Sequence, residues 1–284
     1  MAASAGARQV RVGDLVFDVD VRRCPGEVDA VLLHGFPQSA ASWKGVSARL
    51  AAHGVSTWAP NQRGYSPGAR PDGVEAYRLA ELVSDVLGLC DELALDSVHL
   101  VGHDWGAVVA WAVAARHAER VASLTAVSMP HPAAFARVLA EDTEQRQKSS
   151  YVDFLRHPGT ENVLTADGGA SLRLGFGDAV ASEVADRHIA RLLQPGAMAA
   201  ALNWYRAIGD DWLHVPRVSV PTTVVWGGED IAVARAGIDL CGEFVDADYS
   251  LLVLADKGHW LPEQAPGEVT AAILARVGAA RPPR

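Results

Sequence analysis

The sequence predicts an α/β fold, a mostly parallel, doubly wound sheet of about eight strands with an inserted helical cap. Three observations predict it. Short, β-rich and nearly continuous apolar runs alternate with helical stretches, as strands buried on both faces require. The strand signal vanishes from Pro130 to about Pro216 and then returns. The chain has 284 residues, 49% of them apolar, which suffices for one large domain bearing an insertion.

The elements follow in order. "QVRVGDLVFDVDVR" alternates apolar and polar residues around Gly13-Asp14 and predicts a hairpin with one wet face. "DAVLLHG" (29–35), "VSTWAP" (55–60), "SVHLVGHD" (97–104) and "VASLTAVS" (121–128) read as buried parallel strands. Ser42 to His53, stopped by Gly54, and Glu75 to Leu95, with Leu79, Leu82, Val83, Val86 and Leu87 on one face, read as the helices between them. Helical segments fill 130–216, and strands resume in "PTTVVWGGED" and "YSLLVLADKGHW", followed by a last helix in "GEVTAAILARV". The expected organisation is a core of residues 1–129 and 217–284 with a cap of 130–216.

Composition narrows the function. Acidic residues outnumber basic ones by 34 to 25, and the net charge of −9 disfavours a nucleic-acid backbone or an anionic membrane as partner. Cys24, Cys90 and Cys241 are too scattered for a disulfide framework or a metal site, which fits a reducing compartment. The N-terminus lacks the apolar core of a secretory signal, and no run reaches the ~18 apolar residues of a membrane span. A cytoplasmic protein is expected. There is no internal repeat, and the Pro-ended tail Arg281 to Arg284 reads as disordered. Dinucleotide, P-loop and zincin motifs are missing, and the ten histidines lack ligand spacing, so neither cofactor nor metal is expected.

The chemistry concentrates at "VGHDWGA". Gly102, Gly106 and the small Ala107 permit a sharp strand-to-helix turn, a nucleophile elbow that lifts Asp104 into the open. The structural alternative is an aspartate that merely caps the helix. In "LLHGFPQ", His34-Gly35-Phe36-Pro37 ends a neighbouring strand and aims the Phe36 N–H at the same point as the Trp105 N–H, an oxyanion hole. His259 lies just past the last strand, with Gly258 expected to let the chain turn. Asp230 ends the strand in "VVWGGED"; the order Asp104, Asp230, His259 is nucleophile, acid, histidine. Glu229 is the rival acid, read as a solvated loop residue, and "AVSMPHP" carries no carboxylate that could serve instead.

Aspartate in place of serine changes the reaction. With an ordinary pKa of ~3.9 it is about 99.9% ionised at pH 7 and needs no base to attack. Attack on a carbonyl would give a reactive anhydride, whereas attack on a saturated carbon gives an alkyl ester. The ester must then be opened by water, a task for His259 as general base, with each oxyanion N–H worth roughly 2.7–4 kcal/mol. A strongly basic leaving group needs proton donors, and the cap holds two tyrosines, Tyr151 and Tyr205, with phenols of pKa ~10. Phe154, Phe176, Trp204 and Trp212 suggest an aromatic pocket beneath the cap, or the cap's own core.

On "LLHGFPQ", "APNQRGYSPGARP", "VGHDWGA", "LNWYRA", "VVWGGED" and "KGHWLPEQAP", spread over nearly the whole chain, the sequence resembles the α/β-hydrolase superfamily and, within it, the soluble epoxide hydrolases. The resemblance implies Asp104 as alkylated nucleophile, Asp230 and His259 as its partners, and Tyr151 and Tyr205 as donors to the epoxide oxygen. Leu155-Arg156-His157 departs from the family's aromatic-glutamine wording after Tyr151. His34, Pro37, Phe154 and Trp204 are the expected substrate-binding residues. The expected partners are a small apolar epoxide and water, with a homodimer left open. Haloalkane and haloacid dehalogenases share fold and aspartate and form the alternative, although Phe36 stands where the haloalkane group often has asparagine. A receptor without turnover is the reading from another class.

Overall fold

The computed structural model describes residues 4–26 and 28–280, so the tail Arg281 to Arg284 lies outside the described residues. The opening hairpin forms as expected: β1 (Ser4–Val12) pairs antiparallel with β2 (Leu15–Arg23), Val12 opposite Leu15. Then come β3 (Val28–Leu33), α1 (Lys44–Ala52), β4 (Val55–Pro60), α2 (Leu79–Glu92), β5 (Val98–His103), α3 (Trp105–Arg116) and β6 (Val121–Val127). Both early helices start later than their apolar pattern. Ala40–Trp43 and Glu75–Tyr77 are single 3-10 turns, and the extended ψ of 152° at Arg78 breaks the second stretch before α2.

Between β6 and the next strand the chain inserts eight α-helices: α4 (Pro132–Glu141), α5 (Thr143–Lys148), α6 (Tyr151–Arg156), α7 (Thr160–Thr165), α8 (Ala170–Phe176), α9 (Ser182–Leu192), α10 (Ala197–Arg206) and α11 (Asp210–Leu213). The core resumes with β7 (Thr222–Gly227), α12 (Arg235–Asp239), β8 (Tyr249–Leu254), α13 (Leu261–Gln264) and α14 (Pro266–Ala280). Among the described residues no helix is long and apolar enough to cross a membrane.

The described strands form one sheet in the order β1-β2-β4-β3-β5-β6-β7-β8, parallel from β4 to β8. β4 lies on one flank of β3 and β5 on the other, so the winding reverses there, and a crevice opens above the carboxyl ends of β3 and β5. The strand pleat sorts the core. Val31, Leu33, Leu100 and Leu124 join one apolar cluster with α2, α3 and the insertion, while Ala30, Leu32, Val101 and Val225 join another with α1 and α14. Every residue of α3 from Trp105 to Ala114 is buried, which explains why that segment is apolar all round. The insertion is tied down over this face: the Trp204 indole N–H donates to the Arg63 carbonyl at 2.9 Å, and Arg70 reaches Gln194 at 2.8 Å. Arg63 is itself held by a buried bidentate pair with Asp85, at 2.6 and 2.7 Å.

Candidate active site

β5 ends at His103 and α3 begins at Trp105, leaving Asp104 alone on the bend with φ 52° and ψ −122°. Its carbonyl starts the helix by accepting from the Ala107 and Val108 N–H groups. Its carboxylate makes no capping bond to α3, which removes the helix-cap alternative. Close packing makes the bend a glycine site: a Cβ on Gly106 would lie 2.2 Å from the Leu33 carbonyl oxygen. A Cβ on Gly35 would lie 2.2 Å from the Asp104 carboxylate, and its absence lets the loop after β3 close in. The Phe36 N–H donates to Asp104 Oδ1 at 2.9 Å, and the Trp105 N–H beside it also favours the ionised carboxylate.

On the other side, His259 Nε2 stands 3.6 Å from Asp104 Oδ2, and its Nδ1 meets both oxygens of Asp230 at 2.9 and 3.0 Å. Asp230 is fully buried and also accepts from the Ala232 and Val233 N–H groups at 2.8 and 2.9 Å; Glu229 is exposed. Gly258 does not make this turn. It is not in the left-handed region, and a Cβ there would meet nothing closer than 3.5 Å; the tight approach falls on Gly227, whose Cβ would sit 2.3 Å from the Gly258 oxygen. Burial, the largest single influence, favours a neutral His259, but Asp230 and Asp104 together overcome it and raise its pKa to about 10. Burial likewise works against ionised Asp104, yet the bond and charge of His259 hold its pKa below the usual value. Each group therefore favours the charged form of the other.

Above this pair lie two cavities of about 520 and 290 Å³ that share Asp104, Tyr151, Tyr205 and Ala232 in their walls. The larger one is lined by Trp105, Val108, Met129, Phe135 and Trp212; the smaller runs past Phe36, Pro37, Leu172, His259 and Trp260. Tyr205 is packed edge-on against Phe36 and Trp105, at centroid distances of 5.4 and 5.1 Å. Burial foremost, with the charge of Asp104 besides, pushes both phenols above their ordinary pKa.

Of the residues expected to line the pocket, Pro37 does so and three do not. Phe154 is 46% exposed on α6 and lies outside both cavities. Trp204 is buried behind Trp105 because its indole is committed to Arg63. His34 is fully buried beneath the oxyanion loop, its ring bonded to the Gly35 carbonyl and to the Gln62 N–H. Phe176 is also core, against Trp260, whereas Trp212 faces the larger cavity. The sequence reading missed Gln145, a fully buried side chain on α5 that grips the loop after Asp230, and His103 and Ser128, both bonded to the main chain of His259. A polar residue inside a strand buried at every position was the available signal for His103. Among the described residues no cluster of three or more His, Cys, Asp or Glu is arranged to hold a metal ion.

A parallel sheet whose strand-to-helix bend carries an acid, opposite a histidine–aspartate pair and beneath a helical insertion, defines the class as α/β-hydrolase. A sequence profile of the alpha/beta hydrolase fold matches residues 31–266. Epoxide hydrolase A of Mycobacterium tuberculosis is 32% identical over an alignment of 294 residues covering 88% of this chain and 90% of that protein. The AB hydrolase superfamily protein YfhM of Bacillus subtilis is also 32% identical, over 86% and 88% of the two chains. The crystal structure of epoxide hydrolase A from Mycobacterium thermoresistibile superposes with a TM-score of 0.86 at 26% identity, covering 97% of this chain and 98% of that one. The chain belongs to the epoxide hydrolase family of the α/β-hydrolase superfamily.

Proposed function

We propose that the protein hydrolyses a small apolar epoxide to a vicinal diol through an ester on Asp104, with residues 130–216 acting as a cap over the core formed by 1–129 and 217–284. Asp104 attacks an epoxide carbon, the C–O bond breaks toward oxygen, and Tyr151 or Tyr205 supplies the proton that oxygen takes. Burial does most to keep both phenols weak acids and the Asp104 charge adds to it; attack consumes that charge, so they become stronger acids as the bond forms. The same loss of charge lowers the pKa of His259, whose proton replaces the one given by the phenol. Neutral His259 then takes a proton from water, and the hydroxide attacks the ester carbonyl. The Phe36 and Trp105 N–H groups hold the oxyanion, and collapse releases the diol and restores carboxylate and imidazolium. No proton is gained or lost over the cycle. In this scheme the base becomes available only once the ester exists.

One observation carries the reading: the Asp104 carboxylate makes no capping bond, accepts from the Phe36 N–H, lies 3.6 Å from His259 Nε2, and opens onto two cavities walled by Tyr151 and Tyr205. The test is His259→Ala with an apolar epoxide. The first half-reaction proceeds and the second stalls, so the peptide containing Asp104 gains the mass of the epoxide. An unmodified peptide, from an epoxide that the wild-type protein turns over, overturns the mechanism. Alkyl halides assayed in parallel decide against the dehalogenase alternative if diol is formed and halide is not released.

A further inference from the structure

Two side chains from different strands converge on the carbonyl oxygen of His259. Besides the local turn bond from the Leu261 N–H, that oxygen accepts from His103 Nε2 at 2.8 Å and from the Ser128 hydroxyl at 2.9 Å. A carbonyl only accepts, so His103 carries its proton on Nε2. Its Nδ1 is then a bare acceptor, buried, and without a partner among the described residues. Ser128 sits at φ 55°, a conformation that glycine enters freely and other residues seldom do. Both side chains are fully buried. The fold therefore tolerates an orphaned ring nitrogen and a left-handed serine, and both end on one oxygen. The sheet supplies the register: His103 pairs with Val127, and Ser128 donates its N–H to Val225 at 2.9 Å.

We propose that His103 and Ser128 are positioning residues for the hydrolytic half-reaction. By fixing the main chain of His259 they hold its ring between Asp230 and the Asp104 ester, an inference that rests on the ester mechanism above. Attack by Asp104 needs no base and tolerates a loosened imidazole. Deprotonating a water aimed at the ester carbonyl needs the ring in register, where displacements of about 1 Å cost up to about a hundredfold.

Ser128→Gly separates positioning from folding, because glycine accepts the positive φ that Ser128→Ala leaves strained. In single-turnover experiments Ser128→Gly should alkylate within about twofold of wild type yet dealkylate about tenfold or more slowly. The ester should then accumulate by intact mass. His103→Gln, which keeps an N–H donor, should recover much of the rate that His103→Leu loses. A second measurement needs no substrate. The His259 Nδ1 proton held by Asp230 should give a sharp imidazole NMR signal in wild type and an exchange-broadened one in Ser128→Gly. A wild-type dealkylation rate or an unchanged proton signal in that variant overturns the proposal. If no ester forms even in His259→Ala, the mechanism falls by itself, and the NMR signal alone decides the positioning role.

Discussion

The two phenols over Asp104 are not equivalent. Tyr205 is buried and packed edge-on against Phe36 and Trp105, which fixes its ring in the cavity wall it shares with Asp104. Tyr151 is 40% exposed and so is less firmly held. Tyr205→Phe should therefore slow alkylation by on the order of a hundredfold, as loss of one preorganised donor does, and Tyr151→Phe by less. Stopped-flow tryptophan fluorescence in single turnovers measures both, and an equal or reversed order removes Tyr205 as the principal donor. The convergence of Asp104, His259 and Asp230 was legible because each follows the end of a strand within a few residues and its neighbours spell the turn. The pocket was not. An aromatic residue on a helix of six residues, such as Phe154 on α6, has too little periodicity to reveal which side faces solvent. His103 and Ser128 were illegible for another reason, since their role is a contact across 156 and 131 positions of chain.

The element that ties the insertion to the acid loop is α5. Its Gln145 behaves as a peptide group, with Oε1 accepting from the Ala234 N–H at 2.8 Å and Nε2 donating to the Ala232 carbonyl at 2.9 Å. Lys148, one turn on, donates to the Asp230 carbonyl. The loop that carries Asp230 is thus laced to the cap as well as to the sheet. Gln145→Leu would leave a buried donor and a buried acceptor unpaired, at about 1–3 kcal/mol each. Urea unfolding should show a loss of about 2–6 kcal/mol. Amide exchange should quicken across 230–234 and not in β3 or β5; unchanged exchange in that loop would show that α5 does not hold it. Strands were the legible elements, because β4, β5 and β7 are buried at every residue and each reads as a short, β-rich, largely apolar run. Helix starts were not. A 3-10 turn such as Glu75–Tyr77 has the composition of a first helical turn, and only the dihedrals at Arg78 separate the two.

Over the whole molecule, buried histidines set opposite limits on stability. Burial holds His34 at about 3 and His103 and His131 at about 4, against an ordinary 6.5, so all three are neutral when folded. The unfolded chain protonates them below pH 6.5, so the stability they confer is present above that pH and lost as pH falls toward 4. Three protons taken up on unfolding correspond to a slope of up to about 4 kcal/mol per pH unit. His259 works in reverse. Its folded pKa of about 10 lies above the ordinary value, so its contribution is full below pH 6.5 and is lost as pH rises toward 10. Here the slope is up to about 1.4 kcal/mol per unit, because one proton is involved. Stability should therefore peak near pH 6.5 and fall more steeply on the acid side. Urea unfolding at pH 5, 6.5 and 8.5 tests this, with His259→Gln expected to flatten the alkaline limb and, because His259 also acts on His103 and Asp104, to make the acid limb shallower. Stability that holds level or rises from pH 6.5 to 5 would mean that these histidines are not neutral in the fold. The His259→Gln comparison also bears on catalysis: an alkaline limb that survives this substitution would remove the imidazolium beside Asp104, and with it the proton that replaces the one lost by the phenol.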